Sequence, residues 1–366
     1  MKSKKVLMTG EAPYLFRHEF LFKAMSKYFN IQILQRKQEW YEGKFTRQLL
    51  KYFYATRVFS ISKADTLFQK NQREFIVKSQ KTEQEIRQMK YIPDVVFHIF
   101  NTYSPFWNKF DIPYVLYLDY TMALSEKKQL PWAYFITRKE RDAWFECEHQ
   151  LFERAKHLFV QSCCVKSSLL QDYGMEPQKV TVVGASGNFE KPYEGEKTFG
   201  SKQILFNGSD FQRKGGDLVL AAFKKLKQVI PEAKLVIIGK KLFLRDDSIE
   251  NPGHISHVAL QNLFLKTDLV LAPAYCDPFP RFVMEAMNYG IPCIVSANDG
   301  MPEIVDNNMN GIVIEKLTAE LLANSTINLL NNPSLLASMS QAARKKIKTT
   351  LNWSNVAERI VHVLSN

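Results

Sequence analysis

The sequence lacks the features that mark several whole classes of protein. Its 366 residues include only five cysteines, an odd number with no C-x-x-C pair, and adjacent Cys163-Cys164 is a poor disulfide or zinc site. A disulfide scaffold is excluded, and reduced structural thiols in a cytoplasmic protein are expected. No apolar run approaches the roughly 20 residues that cross a bilayer. The basic start, Met1-Lys-Ser-Lys-Lys, meets Thr9-Gly10 after too short an apolar stretch for a secretory signal. No repeat of about 20–50 residues recurs, so a solenoid is excluded. The histidines are few, and neither His149 with His157 nor His254 with His257 finds a third ligand nearby, so no metal is expected.

What is present is an ordinary globular composition, 46% hydrophobic and 23% charged, which rules out wholesale disorder. The length suggests two domains. The net charge of +12 is uneven: between Lys44 and Lys90, 11 basic residues face 4 acidic ones. Such a field attracts anionic lipid, nucleic acid or an anionic substrate and says nothing of the fold. Within it, Phe45, Leu49, Tyr52 and Phe59 form an apolar stripe beside Lys44, Arg47 and Lys51. Two readings stand side by side: a helix lying on an anionic membrane, and a core helix with a solvated basic face.

Short apolar runs alternate with helical stretches throughout. Strands are expected over 5–9, 31–35, 94–99, 114–118, 158–161 and 180–183, then 203–206, 234–238, 269–272, 293–296 and 311–314. Leu235-Val-Ile-Ile238 and Leu269-Val-Leu-Ala272 are continuously apolar, as buried parallel strands are. The polar stretch 188–200 carries Pro and Gly and reads as a linker. The fold class is therefore α/β, with two Rossmann-like doubly wound domains over 1–188 and 189–350. A last amphipathic helix over 351–366 can pack on either domain, the N-terminal one included.

The most informative stretch runs from Asp268 to Pro292 and reads as strand, loop, helix, stop. Pro280 suits a first helical position, and Gly290 suits the left-handed position after the helix. Asp277 then lies in the loop at a strand's carboxyl end, where open α/β sheets bind ligands. Arg281 and Glu285, four apart, share a helix face. The helix N-terminus offers free N–H groups to an anion.

Asp277-x7-Glu285, followed by Ala286-Met287-x-x-Gly290-x-Pro292, resembles the E-x7-E region of the retaining glycosyltransferases of family 4. Gly300-Met-Pro-Glu-Ile-Val305 resembles that family's next turn. Phe206 to Leu220, with Arg213-Lys214-Gly-Gly, resembles its Arg/Lys–Gly segment. The resemblance covers about residues 140–365 and implies the GT-B fold, two such domains facing each other across a cleft.

It also implies a glycosyltransferase that moves a hexose, with retention, from a nucleoside-diphosphate sugar to a glycan or lipid-linked acceptor, with no cofactor and no metal. Arg213 and Lys214 would hold the leaving diphosphate. Asp277 would bond the transferred sugar, and Glu285 the ribose hydroxyls. Phe279, Arg281 and Phe282 would border the nucleotide, and Gly10 would form a loop near the phosphates and acceptor. Asp277 replaces the family's usual Glu, and Pro280 removes one N–H where Arg281 adds a cation. The family's sugar-facing His has no equivalent here, and Asp119, ending a strand in Tyr117–Thr121, takes its place.

Two rival readings stand beside it: an epimerase-like relative, a class that lacks this Arg-Lys and acidic-x7-acidic combination and needs acid/base carboxylates and histidines not found here, and a sugar-nucleotide binder without turnover, suggested by the altered Pro280-Arg281 loop. A basic nucleic-acid-binding protein is the reading from another class. No zinc pattern, helix-turn-helix or aromatic β platform accompanies the charge, so no nucleic-acid partner is expected.

Overall fold

In the computed structural model the chain divides into two compact units, 1–183 with 357–366, and 184–356. The structure describes residues 4–34, 70–90, 92–244 and 246–365, with isolated residues between 48 and 68. Of the expected basic stripe, Lys44, Phe45, Arg47 and Lys51 lie outside the described residues; Leu49, Tyr52 and Phe59 are exposed. Among the described residues no helix is long and apolar enough to cross a membrane.

The first unit holds six strands: β1 (Lys5–Thr9), β2 (Asn30–Ile33), β3 (Val95–Ile99), β4 (Tyr114–Leu118), β5 (His157–Val160) and β6 (Val180–Val182). They pair all-parallel in the order β2-β1-β3-β4-β5-β6. β3 and β4 are buried at every position, which is why they read as unbroken apolar runs. His98, in β3, is a satisfied core histidine: Nδ1 meets Thr9 Oγ1 at 2.8 Å and Nε2 meets the Tyr103 carbonyl at 2.9 Å.

The second unit holds β7 (Gln203–Asn207), β8 (Lys234–Ile238), β9 (Ile249–Gly253), β10 (Leu269–Ala272), β11 (Cys293–Ser296) and β12 (Gly311–Ile314). Their order is β12-β11-β10-β7-β8-β9, again all-parallel. Taken from the first strand of this unit, that order is the doubly wound Rossmann order. Its direction reverses between β7 and β10, which opens a crevice beyond their carboxyl ends. The helix Gly216–Val229 covers the sheet through buried Val219, Ala222, Phe223 and Leu226, packed on Ile204, Phe206, Leu235 and Leu269. Each such buried side chain contributes about 1.5–3 kcal/mol.

The stretch expected to be a linker is latched onto this second unit. The Tyr193 ring stacks on Tyr289 at 4.5 Å, Tyr193 N–H donates to Asn288 Oδ1, and Arg344 Nη1 donates to the Gly195 carbonyl. The last helix, Trp353–Ser365, begins in the second unit and ends in the first. There Arg359 donates to the Val183 carbonyl and Lys4 to the Leu364 carbonyl. β9 escaped the sequence reading because Ile249-Glu-Asn-Pro-Gly253 is polar and carries Pro252, a pattern tolerated only at a sheet edge.

Glu148 is fully buried in the helix Arg138–Arg154. Burial pushes its carboxyl up to about 7, against bonds from Tyr173, Met122 N–H and Asn101 and the charge of Lys70. The folded protein thus keeps this proton well above the carboxyl's ordinary value of 4.5. The group's stabilising contribution is full below that value and is lost as pH rises through about 7. Glu148→Gln abolishes this loss. Thermal unfolding from about pH 4 to pH 8 therefore shows the variant gaining on wild type as pH rises.

Candidate functional site in the C-terminal unit

The loops that leave β7 and β10 flank the crevice, and each delivers part of the expected residue set. After β7 the chain makes a tight turn, with Lys214 N–H bonded to Asp210 O and Gly216 N–H to Phe211 O. Gly215 sits at φ 77°, and a Cβ there would lie 2.3 Å from the Pro273 carbonyl oxygen. Only glycine lets the two loops approach this closely. Tyr275 N–H donates to the Arg213 carbonyl at 2.9 Å and joins the loops by their backbones.

This approach pairs Lys214 with Asp277, Nζ to Oδ2, at 3.1 Å. Both side chains are largely buried, 15% and 18% exposed, so the pair is poorly screened by solvent. Arg213 is committed differently: Nη1 donates to the Cys276 carbonyl and Nε to Asp210, each at 2.6 Å. Burial opposes its charge, but Asp277 and Asp210 more than offset this and raise its pKa above the ordinary value. Its observed work is to fasten the β10 loop. Asp299, at φ 54°, accepts the Asp277 N–H at 3.0 Å, and Gly300 N–H donates to Pro278 O. The backbone carrying Asp277 is thus held from both sides.

The next helix runs Arg281–Asn288, with Pro280 as its N-cap, one position earlier than the sequence suggested. Gly290, at φ 73°, follows its end. Glu285 is partly buried on this helix, and its Oε1 accepts the Asn188 N–H at 2.9 Å. Burial raises its pKa, partly countered by the Asn188 N–H and the charges of Arg281, His257 and Lys214. An acid whose pKa stays raised despite nearby basic residues is the kind of group found at functional sites. Phe279 and Phe282 are buried, Phe282 with its ring 5.7 Å from Phe264. Lys214, Asp277, Phe282 and Met301 line one pocket with Asn207 and Pro280.

Asp119 and Gly10 belong to the first unit. Gly10 follows β1 at φ 149°, and Asp119 follows β4, so both lie at the carboxyl edge of that sheet. The Tyr14 hydroxyl is pushed up to about 12 by burial and by the charges of the Glu11 and Asp119 carboxylates. Sequence reasoning did not identify Asn188, Asp210 or Asp299. The first acts through backbone N–H alone, and the other two resemble any polar turn residue.

Residues 189–346 match the family model described as glycosyl transferases group 1. An uncharacterized glycosyltransferase of Methanocaldococcus jannaschii is 27% identical over 173 residues, 44% of this chain and 44% of that protein. The chain thus spans less than half of that relative's length. Among solved structures, sucrose-phosphate synthase of Thermosynechococcus elongatus has the same fold at a TM-score of 0.71 and 13% identity, covering 100% of this chain and 98% of that one. HepE of Anabaena, in complex with UDP and glucose, has a TM-score of 0.61 at 12% identity, with 100% of both chains covered.

The raised pKa of Glu285 sets up a pH-dependent stability difference. Its contribution to folding is full below the ordinary carboxyl value and is lost as pH rises through the raised one. Glu285→Gln keeps the acceptor for Asn188 N–H but sheds the buried charge. Thermal unfolding at pH 7.5 is expected to show a higher Tm for the variant, with the gain vanishing near pH 4.

Over residues 189–346 the second unit thus resembles the glycosyl transferases group 1, on a fold shared with the solved structures named above.

Proposed function

We propose that this chain is a glycosyltransferase that moves a hexose from a nucleoside-diphosphate sugar to a hydroxyl of a glycan or glycolipid, retaining anomeric configuration. The observation that carries the reading is the Lys214–Asp277 pair at the Rossmann switch point, beside the helix that bears Arg281 and Glu285. The UDP and glucose bound by HepE support a nucleoside-diphosphate donor.

In this reading Lys214, Arg281 and the positive end of helix Arg281–Asn288 meet the diphosphate charge, with no metal required. Arg213 holds the loop that carries Asp277. Glu285 accepts hydrogen bonds from the ribose hydroxyls, and Phe279 and Phe282 set the backbone against which the nucleotide lies. Asp277 takes sugar hydroxyls near the reacting carbon. The bond from that carbon to the phosphate oxygen breaks as the acceptor oxygen bonds on the same face, and the acceptor's proton passes to the departing phosphate. Gly10 and Asp119, at the carboxyl edge of the first sheet, serve the acceptor side.

Calorimetric titration of UDP and GDP into wild type, Glu285→Ala and Lys214→Ala tests the donor site. A lost hydrogen bond to a charged group costs about 1.5–3 kcal/mol, so each variant should bind about ten- to a hundredfold more weakly. Equal binding by Glu285→Ala would falsify the ribose assignment. Turnover in the presence of a chelator tests the absence of a metal, and loss of activity would refute it.

The acceptor, in this reading, is presented at an anionic membrane surface. Exposed Leu49, Tyr52 and Phe59 within the basic stretch support it. Co-flotation with vesicles containing anionic lipid should be salt-sensitive, and equal binding to neutral vesicles would refute an electrostatic contact.

A further inference from the structure

Trp353 opens the last helix and is only 3% exposed. Two contacts of its indole are directed toward the proposed donor site. Nε1 donates to the Gly187 carbonyl at 2.9 Å. The ring faces the Arg281 guanidinium, whose Cζ lies 5.3 Å from the ring centroid. The next residue along from Gly187 is Asn188, whose N–H holds Glu285. A single side chain therefore touches Arg281 directly and reaches Glu285 through one peptide unit.

The peptide it holds has little room to move. A Cβ at Gly187 would lie 2.6 Å from the Phe189 ring and 2.8 Å from Glu285 Cγ, so the backbone here is pressed against the carboxylate-bearing side chain. Ser186 Oγ donates to the Leu351 carbonyl at 2.9 Å, a second tie between the same two stretches. Asn352 fixes the start of the Trp353 helix: its Oδ1 accepts Asn355 N–H, and its Nδ2 donates to the carbonyls of Ile347 and Lys348. A buried indole with its N–H satisfied and its face on a cation is a rigid strut.

We infer that Trp353 is a positioning residue, holding the Arg281 guanidinium and the Glu285 carboxylate in the geometry that receives the donor nucleotide. The inference rests on the donor-site reading above. It differs from simple core packing in that the two contacts are separable. Phenylalanine keeps a ring under Arg281 and loses the bond to Gly187, whereas leucine loses both.

The test is calorimetric titration of UDP and GDP into wild type, Trp353→Phe and Trp353→Leu, with thermal unfolding of each. Trp353→Phe should bind the preferred nucleotide about three- to tenfold more weakly, the loss of one neutral hydrogen bond, and Trp353→Leu more weakly still. The Phe effect should disappear when Glu285 is already Ala, because the Gly187 bond acts through that carboxylate. A core-packing role would lower Tm and leave affinity unchanged, and that result overturns the inference. So would an equal loss in the Glu285→Ala background. If Trp353→Leu fails to fold, the Phe series decides alone. Wild type that binds neither nucleotide overturns the donor-site reading and the inference with it; wild-type binding with undiminished affinity in Trp353→Phe overturns the inference only.

Discussion

The bond from Asn188 N–H to Glu285 is the contact on which the ordering of the second unit's functional edge depends. It joins the stretch that enters the unit to the helix that follows β10, and it does so at a carboxylate whose burial works against its charge. The Asn188 N–H and the charges of Arg281, His257 and Lys214 offset part of the cost. The loops after β7 and β10 are then drawn together by backbone bonds and by the Lys214–Asp277 pair. A partly buried acid and a poorly solvated ion pair are each unfavourable alone, and Gly215 takes its left-handed conformation without the strain any other residue would meet. Held together they give this edge of the sheet one arrangement.

Much of this was legible in the sequence because parallel sheets impose a simple code. Continuously apolar runs such as Leu235–Ile238 and Leu269–Ala272, short and alternating with helical patterns, read as strands covered on both faces, and the loops that follow such strands are where open α/β sheets bind ligands. Asp277 was visible for that reason, at the carboxyl end of a strand, while Lys214 and Glu285 were picked out by the family resemblance of the segments that carry them. Trp353 was visible only as one more apolar residue of a helix, since its partners lie far away in the chain. Asn188 offers a backbone N–H, which any residue but proline supplies, so its side chain carries no trace of the role. Pro280 shows the finer limit: a proline suits both the cap and the first turn, and the structure puts it at the cap.

Buried carboxylates in the two units are satisfied in different ways. In the second unit Asp277 pairs with Lys214, while Asp268 is buried and accepts the N–H groups of Gly200 and Lys202. The first sinks Glu148 completely and satisfies it with Tyr173, Asn101 and a backbone N–H. A group satisfied on all sides fixes one arrangement of the strands and helices around it and leaves little to offer a ligand. It belongs to the architecture that holds Gly10 and Asp119 at the edge of their sheet.

β9 closes one side of the second sheet, and its odd composition has a bearing on how the molecule behaves in crowded solution. Pro252 has no N–H to give, the Asn251 carbonyl is taken by Lys241 Nζ, and the Asn251 amide is turned back onto the carbonyls of Ile237 and Lys240. An extended segment from another molecule meets no continuous ladder there. The strand that was hardest to see in the sequence is thus the one that guards this sheet against aggregation by strand addition.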